Sequence, residues 1–246
     1  MTRRVKALAV IVPAHDEEDL IGACLESIVE AVQRARAVVS EVGVWAVLDA
    51  CTDDSAAIAA AAGVRLLTVE RRSVGAARAA GVAAALERFA DVAPDRLWTA
   101  HTDADSAVPP NWLTHQLQLA RHGADVVIGT VRPDFRDLLP EQVDAWWETH
   151  TPGIANGHVH GANLGIRASA LLDAGGFADA AVHEDVWLVD AIRARGGSIT
   201  ATDSAWVRTS GRQVGRAPGG YARYLREDLV RLANSRRDAL AEEPAS

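Results

Sequence analysis

The chain has 246 residues, of which 49% are hydrophobic and 24% are charged, and its formal net charge is −8. A chain of this length buries a sizeable core without metal or disulfide support, and its two cysteines, Cys24 and Cys51, form no Cys-x-x-Cys pattern. The acidic balance disfavours a general nucleic-acid binder and a protein held on an anionic membrane. We therefore expect a globular protein with reduced thiols and no nucleic-acid partner.

The first 130 residues alternate between strand-like apolar runs and helix-like periodic segments. Strands are predicted over residues 7–13, 44–49, 64–69, 97–102 and 125–130. Helices are predicted over residues 20–32, 55–62 and 73–89, with a further helix starting near Asn111. This alternation indicates an α/β fold, with a mainly parallel sheet covered by helices on both faces.

The pattern changes after Thr130. Residues 132–160 mix loop with a helix around 140–150, and short helices are predicted over 169–174 and 186–195. A strand over 198–202 and an amphipathic helix from about Tyr221 to Leu232 complete the chain. We interpret residues 1–246 as a single domain, with a nucleotide-binding half over about 1–130 and an acceptor-binding half over about 131–240.

Targeting and membrane signals are weak. The apolar stretch over residues 7–14 is too short to cross a bilayer, and acidic residues follow it where a signal peptide has its cleavage site. The sequence therefore predicts a soluble, cytoplasmic protein without a transmembrane segment. Peripheral membrane contact and pairing into a homodimer stay open.

Carboxylates follow three of the predicted strands. Asp16 and Glu17 come after the first strand, Asp49 ends the second, and Asp103 and Asp105 follow the fourth. Ligands of parallel α/β sheets bind outside the carboxyl ends of the strands, so these side chains are expected at one edge. An Asp-x-Asp pair offers hard oxygen ligands that suit Mg²⁺ or Mn²⁺ together with a diphosphate.

Seven short motifs in fixed order carry a family resemblance. They are VPAHDEE (12–18), VLDACTDD (47–54), GAARAAG (75–81), DAD (103–105), GANLGIR (161–167), GGF (175–177) and HEDVWL (183–188). The ordered set resembles the family 2 glycosyltransferases with the GT-A fold, over roughly residues 7–200. The resemblance implies a metal-dependent enzyme that moves one sugar from a UDP- or GDP-linked donor to a hydroxyl acceptor, with inversion at the anomeric carbon.

The resemblance also implies roles for individual residues on the donor side. The nucleotide sugar would be held by Pro13, Ala14, His15, Asp16, Glu17, Asp49, Arg78, Asp103 and Ala104. Within this set, Arg78 would lie near the base or the diphosphate, and Asp103 near the ribose. Asp105, assisted by Asp103, would bind the Mg²⁺ or Mn²⁺ ion that bridges the diphosphate.

On the acceptor side, the resemblance implies that Asp185 is the general base for the acceptor hydroxyl. Glu184 would contact the acceptor or orient the site, and Asn163 would line the sugar and acceptor pocket. For Trp187, the chemistry of the indole ring leaves two interpretations open, stacking on a sugar or an apolar acceptor and packing in the core. The Glu184-Asp185 pair also precedes a predicted helix, so a simple capping role is the competing interpretation.

An arginine-rich segment ends the chain. Residues 208–237 contain eight arginines and two acidic residues. One interpretation is a loop that closes over the donor diphosphate with Arg212 or Arg216, and a second is a helix face that approaches lipid headgroups. The arginines from Arg226 onward are better explained as a solvated helix face.

Three other functions were weighed against glycosyl transfer. A nucleotidyltransferase needs a basic, glycine-rich loop after the first strand. A dinucleotide-dependent dehydrogenase needs G-x-G-x-x-G at the same place. The loop after the first strand of this chain, residues 16–19, is acidic and contains no glycine, which disfavours both. A non-catalytic protein that binds sugar nucleotides would share the fold. The missing Gln-x-x-Arg-Trp motif argues against a processive polysaccharide synthase.

Overall fold

The computed structural model describes residues 4–215, 220–232 and 234. The strands are β1 (Ala7–Ala14), β2 (Glu41–Asp49), β3 (Arg65–Val69), β4 (Leu97–His101), β5 (Ser106–Ala107), β6 (Val126–Pro133), β7 (Leu164–Arg167) and β8 (Ile199–Thr209). The helices are α1 (Ile21–Ala35), α2 (Ser55–Ala61), α3 (Val74–Arg88), α4 (Trp112–Arg121), α5 (Pro140–Thr149), α6 (Ala168–Asp173), α7 (Glu184–Ala194) and α8 (Tyr221–Arg223), which continues as a π-helical turn, Tyr224–Asp228.

One eight-stranded sheet has the order β3-β2-β1-β4-β7-β6-β8-β5. The pairs β3–β2, β2–β1, β1–β4 and β6–β8 are parallel, whereas β7 is antiparallel to both β4 and β6. The mainly parallel sheet is thus confirmed. Two short strands, β5 and β7, have no counterpart in the sequence-based prediction. Strand β5 is antiparallel to β8.

The sheet buries both of its faces, as expected for strands connected by helical crossovers. Every residue of β1 is buried, and successive side chains point to opposite faces. Leu8 and Val10 belong to one apolar cluster with buried residues of α1 and α4. Ala9 and Ile11 belong to the other, with residues of α3, α6 and α7.

Several element boundaries differ from the sequence-based ones, and two of the differences affect the site. The last strand was predicted over residues 198–202, but β8 continues to Thr209 with alternating buried and exposed residues from Asp203 onward. This extension pairs with the end of β6 and with β5. Helix α7 begins at Glu184 and not at Val186, so the Glu184-Asp185 pair forms its first turn.

The segment that follows α8 packs against α5 through a third apolar cluster, Ala145, Trp146, Leu225 and Leu229. We call residues 221–232 the C-terminal helical segment. The packing against α5 places the start of this segment beside the carboxyl edge of the sheet. The longest described helices have 15 residues, and none in the described ranges is both long and apolar enough to span a bilayer.

Candidate active site

A cleft of about 950 Å³ opens along the carboxyl edge of the sheet. Its walls come from the ends of β1, β2 and β4, the start of α7, the loop after β8 and the C-terminal helical segment. The lining includes Pro13, Ala14, His15, Glu17, Asp49, Arg78, Asp103, Ala104, Asp105, Glu184, Asp185 and Arg212. Most of the residues to which the sequence assigned roles are therefore brought together in one cleft.

Asp105 lies on the wall of this cleft, in the loop after β4. Its Oδ2 is 2.9 Å from the Arg212 guanidinium, and its Oδ1 accepts a 3.3 Å hydrogen bond from Thr209 Oγ1. Burial, together with the negative charge of Asp103, raises the pKa of Asp105 to about 6, even though Arg212 acts in the opposite direction. The carboxyl group of Asp105 therefore ionises at a pH closer to neutrality than an ordinary aspartate does.

Arg212 connects the loop after β1 to the loop after β4. Its guanidinium donates to both carboxylate oxygens of Glu17, at 2.7 and 3.0 Å, and also contacts Asp105. Such a two-pronged arginine–carboxylate pair fixes the orientation of both groups. Arg216, the other arginine predicted for this loop, lies outside the described residues.

Arg78 is buried within the cleft wall and joins the end of β4 to the start of α7. Its guanidinium is 2.5 Å from Asp103 Oδ1 and forms a second ion pair with Glu184. The backbone of Gly161 lies directly against the same guanidinium, where a Cβ atom would collide with it. Arg78 therefore fixes two carboxylates, and the prediction that it contacts the base or the diphosphate remains untested.

Glu184 and Asp185 differ in their surroundings although they are adjacent. Glu184 is buried, and burial raises its pKa despite the neighbouring Arg78. Asp185 is half-buried and lines the cleft, and its Oδ1 accepts a 2.8 Å hydrogen bond from the backbone amide of Val186. The preceding residue, His183, adopts a left-handed conformation with φ of 63°. This backbone turn starts α7 so that both carboxylates face the cleft.

Asp49 has a structural role at the base of the cleft. Its two carboxylate oxygens accept hydrogen bonds from the backbone amides of Arg71, Arg72 and Ser73, at 2.7, 2.8 and 2.7 Å. Its own carbonyl oxygen lies 2.6 Å from His15 Nδ1. Asp49 thereby fixes the loop between β3 and α3 that forms one rim of the cleft.

Three residues with predicted binding roles do not line the cleft. Asp16 is held by the loop after β2, where its Oδ1 accepts a 2.7 Å hydrogen bond from the Thr52 amide. Trp187 is 55% exposed on α7, outside the cleft lining. Asn163 is buried, and its side-chain oxygen accepts a 2.8 Å hydrogen bond from Trp112 Nε1. Its side-chain nitrogen donates to the backbone carbonyls of Thr130 and Ala205, both at 2.9 Å.

We predict that Asn163→Leu destabilises the protein, because three buried groups lose their hydrogen-bond partner. Each buried donor or acceptor left unpaired costs about 1–3 kcal/mol, so we expect a loss of at least ~3 kcal/mol in the free energy of unfolding. Denaturant unfolding measures this loss, with Asn111→Leu at the exposed start of α4 as control. Equal stability of the Asn163 variant and the control would contradict this structural role.

Several cleft residues have no counterpart among the sequence predictions. Thr209 holds Asp105, His183 starts α7, and Tyr221 and Tyr224 line the cleft. In the sequence, the three-residue spacing of the two tyrosines predicts only the apolar face of an amphipathic helix. The position of His183 directly before the acidic pair was the one local signal that could have drawn attention to it.

Comparisons with known proteins agree with this geometry. The model of glycosyl transferase family 2 matches residues 9–170, about two thirds of the chain. Comparison with curated proteins gives no match. Among solved structures, Staphylococcus aureus TarS (residues 1–349) is 14% identical with a TM-score of 0.58, and the alignment covers 93% of this chain and 64% of that one.

Two further similar structures contain bound ligands. The mannosyltransferase PcManGT from Pyrobaculum calidifontis, in complex with GDP-Man and Mn²⁺, is 21% identical over 98% of this chain and 77% of that one, with a TM-score of 0.59. Glucosyl-3-phosphoglycerate synthase from Mycobacterium tuberculosis, with Mn²⁺, UDP and phosphoglyceric acid, is 17% identical over 98% and 80%, with a TM-score of 0.56.

These structural neighbours confirm the GT-A fold, while the chain spans only about 64% of the TarS fragment. The family assignment rests on the sequence model, which extends from β1 to α6 and includes the Asp103–Asp105 motif. The chain therefore belongs to glycosyl transferase family 2, a family of enzymes.

Proposed function

We propose that this protein transfers a single sugar from a UDP- or GDP-linked donor to a hydroxyl group of an acceptor, with inversion and with the help of a divalent metal. The observation that carries the proposal is the position of Asp185 in the same cleft as the Asp103–Asp105 pair. Glu184 is engaged by Arg78, whereas Asp185 makes no ion pair with any described residue. Asp185 is therefore the better placed of the two to accept a proton.

The proposed step is a single displacement. The acceptor hydroxyl gives its proton to an Asp185 carboxylate oxygen while its own oxygen bonds to the anomeric carbon of the donor sugar. The bond between that carbon and the diphosphate oxygen breaks, and its electron pair leaves with the nucleoside diphosphate. Attack from the side opposite the leaving group inverts the anomeric configuration.

The wall of the cleft that contains Asp103, Asp105 and Arg212, which we assign to the donor and call the donor wall, fits a divalent cation. Asp103 and Asp105 place two carboxylates on one turn, and burial, together with the negative charge of neighbouring carboxylates, raises the pKa of both. These are the hard oxygen ligands that Mg²⁺ and Mn²⁺ prefer. A bound ion would neutralise charge that develops on the leaving diphosphate. Arg212 lies beside this site, with its guanidinium paired with both Asp105 and Glu17.

A second group of ligand atoms fits this role less well. Asp16, Cys51 and Asp53 bring one atom each within 4.8 Å of one another. Asp16 and Asp53 already accept hydrogen bonds from the backbone amides of Thr52 and Glu18, and none of the three lines the cleft. We therefore assign the metal to Asp105 and Asp103.

Metal binding is expected to depend on pH. A carboxylate must lose its proton to bind a cation, and only about a tenth of Asp105 is ionised at pH 5 if its pKa is about 6. We predict Mn²⁺ affinity about tenfold lower at pH 5 than at pH 7 in the nucleotide-free protein, measured from the electron paramagnetic resonance signal of free Mn²⁺. Asp105→Asn serves as control, with weak binding at both pH values, and a wild-type affinity that does not change would contradict the assignment.

Product analysis tests the proposed reaction. The protein is incubated with Mn²⁺, with UDP- or GDP-linked sugars including UDP-GlcNAc and GDP-Man, and with a panel of hydroxyl acceptors. Release of nucleoside diphosphate identifies the donor, and nuclear magnetic resonance reports the anomeric configuration of the product. We expect one added sugar with inverted configuration. A retained configuration would refute the single displacement, and a growing polymer would refute the transfer of a single sugar.

A further inference from the structure

An aromatic patch lines one part of the cleft. We define it as Tyr221, Tyr224 and His160, all of which line the cleft. The rings of Tyr221 and Tyr224 are stacked, with centroids 5.7 Å apart and an interplanar angle of 22°. His160 meets Tyr221 edge to face, at 5.8 Å and 80°. The patch therefore offers flat apolar ring surface to a molecule in the cleft.

The surrounding fold holds the aromatic patch in place. The Tyr221 hydroxyl accepts a 3.2 Å hydrogen bond from Nε1 of Trp146, which is buried in the cluster between α5 and the C-terminal helical segment. Leu225 and Leu229 of that segment pack in the same cluster. A ring surface fixed in this way loses little conformational freedom when a ligand binds.

The charges around the aromatic patch disfavour an anionic ligand. The positively charged side chains of the described cleft lining are Arg72, Arg78 and Arg212. Arg78 and Arg212 are each paired with two carboxylates, and Arg72 belongs to the loop that Asp49 fixes. Burial lowers the pKa of His160 to about 4, so this ring is neutral at pH 7. An anionic acceptor would meet the Asp185 carboxylate without a compensating positive charge from the patch.

Polar side chains also line the cleft. The His158 ring lies 6.3 Å from that of His160, and Thr149 and Asn156 are further lining residues that can donate or accept hydrogen bonds. A flat apolar surface flanked by a few polar groups matches a sugar ring, which has an apolar face of C–H groups and a periphery of hydroxyls.

We propose that the acceptor is an uncharged sugar ring, free or in a neutral glycoside, whose C–H face stacks on the aromatic patch while one hydroxyl reaches Asp185. This inference rests on the proposed function, because it assigns the acceptor of that reaction. It distinguishes this chain's acceptor class from phosphorylated hydroxy acids such as the phosphoglyceric acid bound by one structural neighbour.

The test compares neutral and anionic probes on the full chain with saturating UDP or GDP and Mn²⁺. The neutral probes are methyl β-glucoside, methyl α-mannoside and methyl β-galactoside, and the anionic probes are glucose 6-phosphate and 3-phosphoglycerate. Saturation-transfer nuclear magnetic resonance identifies which ring protons contact the protein. We expect contact through the C–H face of at least one neutral glycoside, and at least tenfold weaker binding of both anionic probes.

Two variants of Tyr224 test the aromatic patch itself. Tyr224→Ala removes the ring and should weaken binding of the neutral glycoside at least fivefold, whereas Tyr224→Phe keeps the ring and should change it less than twofold. Nucleotide binding of each variant reports whether the cleft is folded. The comparison of neutral with anionic probes is made on the wild-type protein, so it does not depend on whether either variant folds.

Preference for the phosphorylated probes, failure of every neutral glycoside to bind, or unchanged binding in a folded Tyr224→Ala variant would overturn the inference. Nucleotide titration in the same samples separates this failure from that of the proposed function. If UDP and GDP both fail to bind, the proposed function is refuted. If a nucleotide binds and the neutral glycosides do not, the acceptor assignment alone is refuted.

Discussion

Asp185→Asn should lower the rate of sugar transfer by at least ~10²-fold while leaving donor binding within about twofold of the wild type. The amide keeps the size of the side chain and its hydrogen bond to the Val186 amide, so the start of α7 is retained. It cannot accept the proton of the acceptor hydroxyl. Steady-state transfer rates and calorimetric donor binding, measured on the same preparation, separate these two effects.

Asp190→Asn is the matched control for this experiment. Asp190 lies on the same helix, is exposed to solvent and pairs with Arg193, away from the cleft lining. The identical chemical change should therefore leave the transfer rate unaltered. If Asp185→Asn retained the wild-type rate, the assignment of Asp185 as general base would be wrong.

Arg78→Met should lower both stability and transfer. Removing the guanidinium leaves the carboxylates of Asp103 and Glu184 without the cation that each of them contacts. Removing one partner of a buried ion pair costs about 3–5 kcal/mol, which corresponds to a melting temperature roughly 6–20 °C lower in a chain of this size. Thermal unfolding measures the shift, and Arg88→Met at the exposed end of α3 is the control.

A double variant distinguishes loss of charge balance from loss of packing. Arg78→Met combined with Glu184→Gln removes both members of the more deeply buried pair. We expect the double variant to regain part of the stability that Arg78→Met alone loses, because less uncompensated charge remains in the wall. Transfer should stay low, since Asp103 and residue 184 lose the contacts by which Arg78 holds them in the cleft wall. A double variant no more stable than Arg78→Met would contradict this electrostatic explanation.

The position of the cleft was predictable from sequence because it depends on local patterns. Buried strands read as continuous apolar runs, and the residues that follow them must emerge at the carboxyl edge of the sheet. Asp49, Asp103 and Asp105 follow this rule, and all three line the cleft. Their chemical roles were implied by the family resemblance and remain predictions.

The contacts within the cleft wall were not predictable, because they join residues distant in sequence. Arg78 pairs with Glu184 across 106 positions, and Arg212 pairs with Glu17 across 195. Strand β7 has only four residues, too few for a periodic signal, and its antiparallel place between β4 and β6 follows from long-range pairing. The same pairing places the neighbouring Asn163 side chain in the core, among Trp112, Thr130 and Ala205.

The central claim is that this cleft binds a nucleoside-diphosphate sugar with a metal held at Asp105. The most direct test is calorimetric titration with UDP, GDP and their sugar conjugates, with and without Mn²⁺, in the wild type and in Asp105→Ala. We predict that one nucleotide binds in a metal-dependent manner and that Asp105→Ala, although folded, loses this dependence. Metal-dependent binding that persists in Asp105→Ala would contradict the metal assignment, and a folded wild type that binds none of these ligands would contradict the account of the cleft as a donor site.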